Sequence, residues 1–340
     1  MIFLVIYLIF ILILEKIMSD KNIAIGVLSF NTEKYILKVL EDLKILEYPI
    51  VVIDDSSKDN SLKIVKEFKK ENTDTHCEII ENELNEGAGQ SCRNLIEHCK
   101  NMGYKYMVKV DGDDQFDIED IKKIILKLET KKYDFIKSNR FWSGGITGEI
   151  PKIRYFGNLI ATQFLHFATG SNKIYDPLNG LFGINTVICE NLNNKRYPKR
   201  YGYPFFITSQ AILNDFATLQ INNIIKYNDQ ESNIKPYKLL FSLIRQTLFF
   251  NRKKYQIKKL NYKLHKSLFY EVVFRLFLIL ELLLTLRFVI GYFTSIPIFQ
   301  TNIAGWGILV VIFASITVFI YSISFNLENK YRKEFITLDE

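Results

Sequence analysis

Five short apolar runs recur along the first 140 residues: IAIGVL from Ile23, YPIVVIDD ending at Asp55, CEIIEN from Cys77, YMVKVD ending at Asp111 and YDFIKS from Tyr133. Each is too short for a helix and rich in the branched and aromatic residues that fit a pleated sheet. Stretches with helical spacing lie between them, among them TEKYILKVLEDLKIL and DIEDIKKIILKLE. Strand–helix alternation of this kind predicts an α/β fold, a mostly parallel sheet with helices on both faces. Ligands of such sheets sit beyond the carboxyl ends of the strands. The acidic clusters fall at those ends, after Ile53 and after Val110.

Three stretches carry candidate chemistry. In VVIDDSSKDN, Asp54 and Asp55 leave a strand end, where carboxylates can accept hydrogen bonds from a nucleobase N–H or from ribose hydroxyls. The competing reading is that they only make turns and caps with Ser56, Ser57 and Asp59. In NELNEGAGQSCRN, Gly87 and Gly89 open a helix and would let backbone approach a phosphate or a nucleotide. The stretch lacks the third glycine of a dinucleotide fingerprint and follows the third strand rather than the first. The third stretch, VKVDGDDQFD, holds four aspartates within seven positions behind an apolar run. Like charges this close repel, and a bound cation relieves them. Asp111 and Asp113 fall on one side of an extended chain, Gln115 continues the alternation, and hard oxygen ligands of this kind suit Mg2+ or Mn2+.

The C-terminal third reads as membrane-associated. Ile303 to Phe325 is uncharged and about the ~20 residues a bilayer crossing needs. Val272 to Thr294 carries Arg275, Glu281 and Arg287 against sixteen Leu, Ile, Val and Phe. Those sixteen favour insertion by about 5–10 kcal/mol, which outweighs a central glutamate at about 3 kcal/mol. The short link SIPIFQTN makes the pair a hairpin, with Glu281 facing a helix or protein partner. Before it, PYKLLFSLIRQTLFF mixes apolar and basic residues as an interfacial helix would. The first residues, through IFLVIYLIFILIL, read as a hydrophobic anchor that crosses or lies in the interface.

Charge supports the same division. The net charge of +7 is one local block: Lys235 to Lys266 holds ten Lys/Arg and no Asp/Glu, and without it the chain stands at −3. A nucleic-acid partner would need a basic face on a folded module, whereas a basic block running into apolar segments suits anionic lipid headgroups. By the positive-inside rule that block, and the catalytic domain with it, faces the cytoplasm. The cysteines at 77, 92, 99 and 189 have no zinc-like spacing, and the histidines at 76, 98, 166 and 265 lie outside the three stretches. The expected domains are an anchor (1–20), a catalytic domain (21–230), a basic amphipathic segment (231–267), two transmembrane helices (268–326) and a polar tail (327–340).

IAIGVLSFN, VVIDDSSKDNS, NEGAGQSCRN and VDGDDQFDIEDI together resemble the inverting family 2 glycosyltransferases, which have a GT-A fold and use nucleotide-activated sugars. The likeness continues through KSNRF, PKIRYFGN and YDPLNGLFGIN. With the terminal hairpin, it looks like the branch of dolichol-phosphate-mannose synthase and polyprenyl-phosphate glycosyltransferases. The resemblance implies that Asp54, Asp55, Asp111 and Gly87 bind the nucleotide-sugar. It implies that Asp111, Asp113 and Gln115 bind the metal and diphosphate, that Arg140 and Arg154 hold the acceptor phosphate, and that Asp176 lies near the sugar. Asp113, Arg140, Arg154 and Asp176 are thus the expected catalytic set.

Two departures stand out. The Gly-Ser-Lys common after the last strand of the family is replaced by NDQESNIK, where Lys235 is the candidate substitute. RYGYPFFITSQ has no acidic pair where enzymes with hydroxyl acceptors carry their base. A hydroxyl needs a base to attack, whereas a lipid phosphate is already anionic. The expectation is therefore a membrane-bound enzyme moving a sugar from a nucleotide-sugar to a dolichyl- or undecaprenyl-type phosphate, its terminal helices also offering a surface for self-association. The alternatives are a family 2 transferase with a glycan or lipid hydroxyl acceptor, and a catalytically silent membrane scaffold with the same fold.

Overall fold

A computed structural model of the chain describes residues 22–141, 146–147, 152–192, 195–223, 225–226, 236–293, 303–332 and 336–338. Strands β1 (Ile23–Ser29), β2 (Ile50–Asp54), β3 (Cys77–Glu81), β4 (Tyr106–Asp111) and β5 (Phe135–Asn139) coincide with the five apolar runs. Helices α1 (Ile36–Lys44), α2 (Ser61–Glu71), α3 (Ala88–Asn101) and α4 (Ile118–Glu129) alternate with them. There follow β6 (Ile146–Thr147), α5 (Lys152–Thr169), β7 (Phe182–Asn185), α6 (Cys189–Leu192), α7 (Tyr203–Leu213), β8 (Thr218–Asn222), β9 (Ile225–Lys226), α8 (Pro236–Leu260), α9 (His265–Phe293), α10 (Ile303–Arg332) and β10 (Ile336–Leu338). The expected N-terminal anchor, the NDQESNIK stretch with Lys235, and the SIPIFQTN link lie outside the described residues.

The described residues form two compact units. The first holds those up to Ala168, those from Lys173 to Leu248, and the last strand. Its sheet runs β10-β8-β5-β7-β4-β1-β2-β3, with β6 and β9 as a separate ribbon. All neighbours pair parallel except β7, which is antiparallel to β4 and β5. This is the mostly parallel α/β sheet that strand–helix alternation predicts. The reversed strand was not foreseen.

One face of the sheet builds a core with α1, α2 and α4. Ile23, Ile25 and Val27 of β1 and Tyr106, Val108 and Val110 of β4 meet Ile36, Val39, Leu40 and Leu43 of α1 and Ile121, Ile124, Ile125 and Leu128 of α4. These helix positions recur every three or four residues, so one face of each helix is apolar and buries against the strands. Each such side chain contributes about 1.5–3 kcal/mol. Asp117 caps α4 by accepting the Glu119 N–H at 3.0 Å. The opposite face is crossed by α3: a side chain at Gly26 would collide with Leu95 of α3 and Met107 of β4. Period-two geometry puts Met107, Lys109 and Asp111 on this second face.

The second unit holds residues 169–172 and the described residues from Phe249 to Arg332. Within it α9 and α10 pack side by side, with Phe274 against Tyr321 at 4.9 Å and Phe277 against Phe313 at 6.0 Å. The Arg287 guanidinium stacks over the Trp306 ring at 5.1 Å, which gives one charge of the apolar α9 a partner. Lys258 bridges Glu271 and Glu328 at 2.6 Å each, and Arg275 reaches Glu271 at 2.7 Å. Among the described residues one helical segment, Gly305–Lys330, is long and apolar enough to cross a membrane. Helix α10 runs past residue 326 to Arg332, and 336–338 form an edge strand beside β8.

Candidate functional site

The carboxyl ends of β1, β2 and β4 lie together: Ser29 is level with Asp54, and Leu28 is level with Asp111. Asp54 is buried and closes its own turn, accepting the Ser57 N–H at 2.9 Å and the Ser57 hydroxyl at 2.6 Å. Asp55 is buried too. It accepts from the Asn82 amide at 2.9 Å, the Glu86 N–H at 2.9 Å and the Gly87 N–H at 2.8 Å, and so clamps the loop from 82 to 87. Both carboxylates expected to meet a nucleotide therefore spend these oxygens on their own chain. They shape the strand-end loops, and little of either is left accessible.

Gly87 sits at φ +95°, a backbone angle that disfavours any side chain. A β-carbon there would strike Arg200 and the Lys199 carbonyl, and one at Gly89 would strike the Pro198 carbonyl. The Gln90 N–H donates to the Lys199 carbonyl at 2.9 Å, and the Tyr197 hydroxyl donates to the Gly89 carbonyl at 3.0 Å. The glycines do permit close backbone approach at the start of α3. What approaches is the chain's own 197–200 segment, which sequence reasoning did not single out.

The four aspartates behind β4 have separate fates. Asp114 pairs with Lys38 at 2.7 Å and Asp117 caps α4, which leaves Asp111 and Asp113 at the strand end. Asp113 is half-buried. Loss of solvent around its carboxyl, and then the charge of Asp111, raises its pKa from 3.8 to about 7, while Lys109 and the backbone N–H of Gln115 act the other way. Gln115 follows directly and is half-buried.

Beneath these acids lie two lysines that the sequence analysis passed over. Lys109 and Lys137 both flank Phe182 in the sheet register, and both are 0 % exposed. Lys109 Nζ donates to Asp111 Oδ1 at 2.5 Å and lies 5.6 Å from the Tyr203 ring centroid. Lys137 Nζ donates to the Asn179 carbonyl. Burial lowers its pKa to about 7, against the pull of Asp176. A lysine directly behind two or more apolar residues inside a strand-like run, as in YMVKVD and YDFIKS, was the available signal.

Arg140 and Asp176, both in the expected catalytic set, meet in a pairing the sequence did not suggest. Arg140 donates from Nε and Nη2 to the two oxygens of Asp176 at 2.7 and 2.8 Å, and its backbone N–H adds a third bond at 3.1 Å. Asp176 is fully buried, so this is a two-pronged pair held in low dielectric. The loop it begins turns back on the acids: a β-carbon at Gly180 would stand 2.6 Å from Asp111 Oδ2 and 3.0 Å from Lys109 Nζ. Arg154, in the first turn of α5, is half-buried. Asp111, Asp113, Arg140 and Asp176 are thus linked through the 176–180 loop, while Asp54, Asp55 and Gly87 form a neighbouring group at the β2–α3 side.

The donor set was tested against a divalent cation by its chemistry. Two carboxylates crowd one strand end, and one has its pKa raised by burial and then by the charge of the other, a situation a hard cation relieves. Among the described residues no group of three His, Cys, Asp or Glu is placed to hold a metal. A fit to Mg2+ or Mn2+ therefore rests on these two acids with oxygens from substrate and water, the arrangement magnesium prefers.

Comparison with known proteins identifies the family. The family model for Glycosyl transferase family 2 matches residues 24–192. The chain is 30% identical over 225 residues to an uncharacterised protein of Methanocaldococcus jannaschii, covering 65% of this chain and 96% of that one. It is 28% identical over 195 residues to the UDP-N-acetylglucosamine–dolichyl-phosphate N-acetylglucosaminyltransferase of Methanococcus voltae, covering 53% of this chain and 77% of that one. Among solved structures it resembles glucosyl-3-phosphoglycerate synthase of Mycobacterium tuberculosis. The complex with phosphoglyceric acid superposes with TM-score 0.51 at 13% identity over 66% of this chain and 79% of that one. The complex with Mn2+, UDP and glucosyl-3-phosphoglycerate gives TM-score 0.50 at 12% identity over the same shares. Sheet order, strand-end acids and these likenesses converge: the chain is a glycosyltransferase with a GT-A fold and belongs to glycosyl transferase family 2.

Proposed function

We propose that this enzyme moves a sugar from a nucleotide-sugar donor to a polyprenyl phosphate at a membrane surface. The observation that carries this reading is topological. Strand β8 precedes the apolar helices and β10 follows them, yet both belong to one sheet. A chain that leaves that sheet, crosses a bilayer and returns must cross an even number of times. With Gly305–Lys330 as one crossing, α9 supplies the second. Both helices turn large apolar side chains outward, among them Leu276, Leu282, Leu283, Val311, Val318 and Phe319, each more than half exposed. A bilayer is the solvent such a surface fits. The Methanococcus voltae relative, named for a dolichyl-phosphate acceptor, supports the same class of acceptor. The UDP in the Mycobacterium tuberculosis complex supports a nucleotide-sugar donor, and the Mn2+ there supports a divalent ion.

In this reading Asp111, Asp113 and Gln115 hold Mg2+ or Mn2+ beside the donor diphosphate. When bound, the ion neutralises charge on the departing nucleoside diphosphate. Asp54, Asp55 and Gly87 act mainly by fixing the loops that would surround the nucleotide. Asp176 takes two of the five N–H donors of Arg140, which locks the guanidinium in place. Arg140, so held, and Arg154 orient the acceptor phosphate against its repulsion from the donor. Helix α7 carries neither Asp nor Glu, in keeping with an anionic nucleophile that attacks without a base. The exposed basic residues of α8, Lys238, Arg245, Arg252 and Lys259, are read as facing a cytoplasmic leaflet, with the catalytic unit on that side, while Lys254 and Lys258 are buried against Glu271.

The test is to offer a panel of sugar nucleotides with polyprenyl phosphate to the purified full chain, with and without chelator, and to identify the lipid product by mass. A glycosyl phosphoryl polyprenol formed only with divalent ion supports the proposal. Donor hydrolysis or a glycosylated hydroxyl in its place would reject it.

A further inference from the structure

Lys109 is a fixed positive charge under a site that must also admit a divalent cation. Its ammonium is sealed from solvent on the α3 face of the sheet, close to Gly180 and the Tyr203 ring, and it already holds Asp111 Oδ1. It cannot swing into water when a second cation arrives. Lys137 and Arg140 lie on the adjoining part of the sheet, tied to the Asn179 carbonyl and to Asp176. Lys109 and Arg140 thus stand as two cations against Asp111, Asp113 and Asp176, with the Lys137 ammonium weakened by burial beside them. The cluster is within one charge of balance without any ion. A divalent cation alone would leave it with a net positive charge in a poorly solvated place, where like charges repel strongly. A cation arriving with a diphosphate brings its own counter-charge.

Resting on the metal-site reading above, we propose that Lys109 is a positioning residue that keeps one oxygen of Asp111 engaged and makes divalent-cation binding conditional on the donor's diphosphate. The enzyme then takes up its ion with the nucleotide-sugar and releases it with the nucleoside diphosphate. Removing the ammonium lifts the repulsion and lets the ion bind alone. The sign of this effect separates it from a packing role: a lysine that only supports the loop would, when lost, loosen the site and weaken the ion.

The experiment measures Mn2+ binding to the detergent-solubilised full chain at pH 8 by the paramagnetic resonance signal of free Mn2+, with and without inorganic pyrophosphate. Wild type is expected to bind Mn2+ weakly alone and at least tenfold more tightly with pyrophosphate. Lys109→Met and Lys109→Gln, two neutral replacements so that one folding failure is not decisive, are expected to bind Mn2+ alone at least tenfold more tightly than wild type and to lose most of the pyrophosphate dependence. Lys109→Arg, which keeps the charge, should behave as wild type. Neutral variants that bind Mn2+ alone no more tightly than wild type would overturn the proposal, with Asp113→Asn as the control for the parent reading. If Asp113→Asn removes Mn2+ binding while the Lys109 variants leave it unchanged, only the role of Lys109 falls. If Asp113→Asn has no effect, the metal site lies elsewhere and both readings fall.

Discussion

Gly180→Ala puts the seating of the 176–180 loop to a quantitative test. The added methyl would stand 2.6 Å from Asp111 Oδ2, where ordinary contact begins near 3.4 Å, so the loop or the carboxylate must yield by about 0.8 Å. Lys109 Nζ, 3.0 Å away on the same side, restricts the escape, because it is buried and bonded to Asp111. Overpacking of this kind costs about 1–3 kcal/mol of stability. A reacting group displaced by about 1 Å loses on the order of 100-fold in rate. Urea unfolding and turnover should therefore diverge: a modest stability loss beside a fall of about 100-fold in kcat/KM. Gly157→Ala is the matched control. It lies within α5 and a β-carbon there meets nothing within 4 Å, so alanine should stabilise by up to about 1 kcal/mol and leave activity unchanged. A Gly180→Ala enzyme with wild-type turnover and stability would show that the loop does not rest on Asp111.

Four other outcomes follow from the same geometry. Asp113→Asn should lower turnover by at least about 100-fold while leaving the apo-protein no less stable at pH 8, because it removes a carboxylate that is costly to ionise there; parallel thermal melts and rate assays check both halves. Since the pKa of Asp113 is raised from 3.8 to about 7, the folded state holds this proton across that window, so its contribution to apo stability is lost as pH rises through it. Mn2+ affinity should run the other way, weakening by up to about tenfold per pH unit below 7, as a titration at pH 5.5 to 8.5 would show. Asp176→Ala strands Arg140 and should destabilise the first unit by about 3–5 kcal/mol in urea, whereas Arg140→Lys, which keeps charge but not the fork, should cost less stability and still lose most activity. Membranes carrying the full chain should retain it through high salt and alkaline carbonate and yield it only to detergent; release by carbonate would mean that the apolar helices lie on the bilayer rather than cross it.

The parts of the fold legible in the sequence were those set by local periodicity. The five strands and α4 repeat their patterns within a few residues, and strand ends announce themselves as acid clusters. β7 was not legible: FGIN is four residues without alternation, and it enters the sheet between β4 and β5 by a long-range choice. The site was legible in residue type but less so in use. Asp54 and Asp55 stand where expected, yet whether a carboxylate serves a ligand or its own loop depends on partners such as Ser57, Asn82 and Gly87. The glycines of NEGAG signal close approach without saying that Lys199 is what approaches. Arg140 finds Asp176 across 36 positions, a pairing that only the folded sheet provides. Lys109 and Lys137 were missed because a lysine normally marks the solvent side of a strand. Here Lys109 is satisfied by Asp111 Oδ1 and Lys137 by the Asn179 carbonyl.

A single competition assay bears most directly on the acceptor. Purified full chain, its preferred nucleotide-sugar and Mn2+ would be given equal amounts of a polyprenyl phosphate and the polyprenol of the same length, and the glycosylated lipids separated and weighed by mass spectrometry. The site described above predicts that sugar appears on the phosphate and not on the alcohol, with the ratio collapsing in Arg140→Lys. Sugar on the alcohol, with the phosphate untouched, would contradict it.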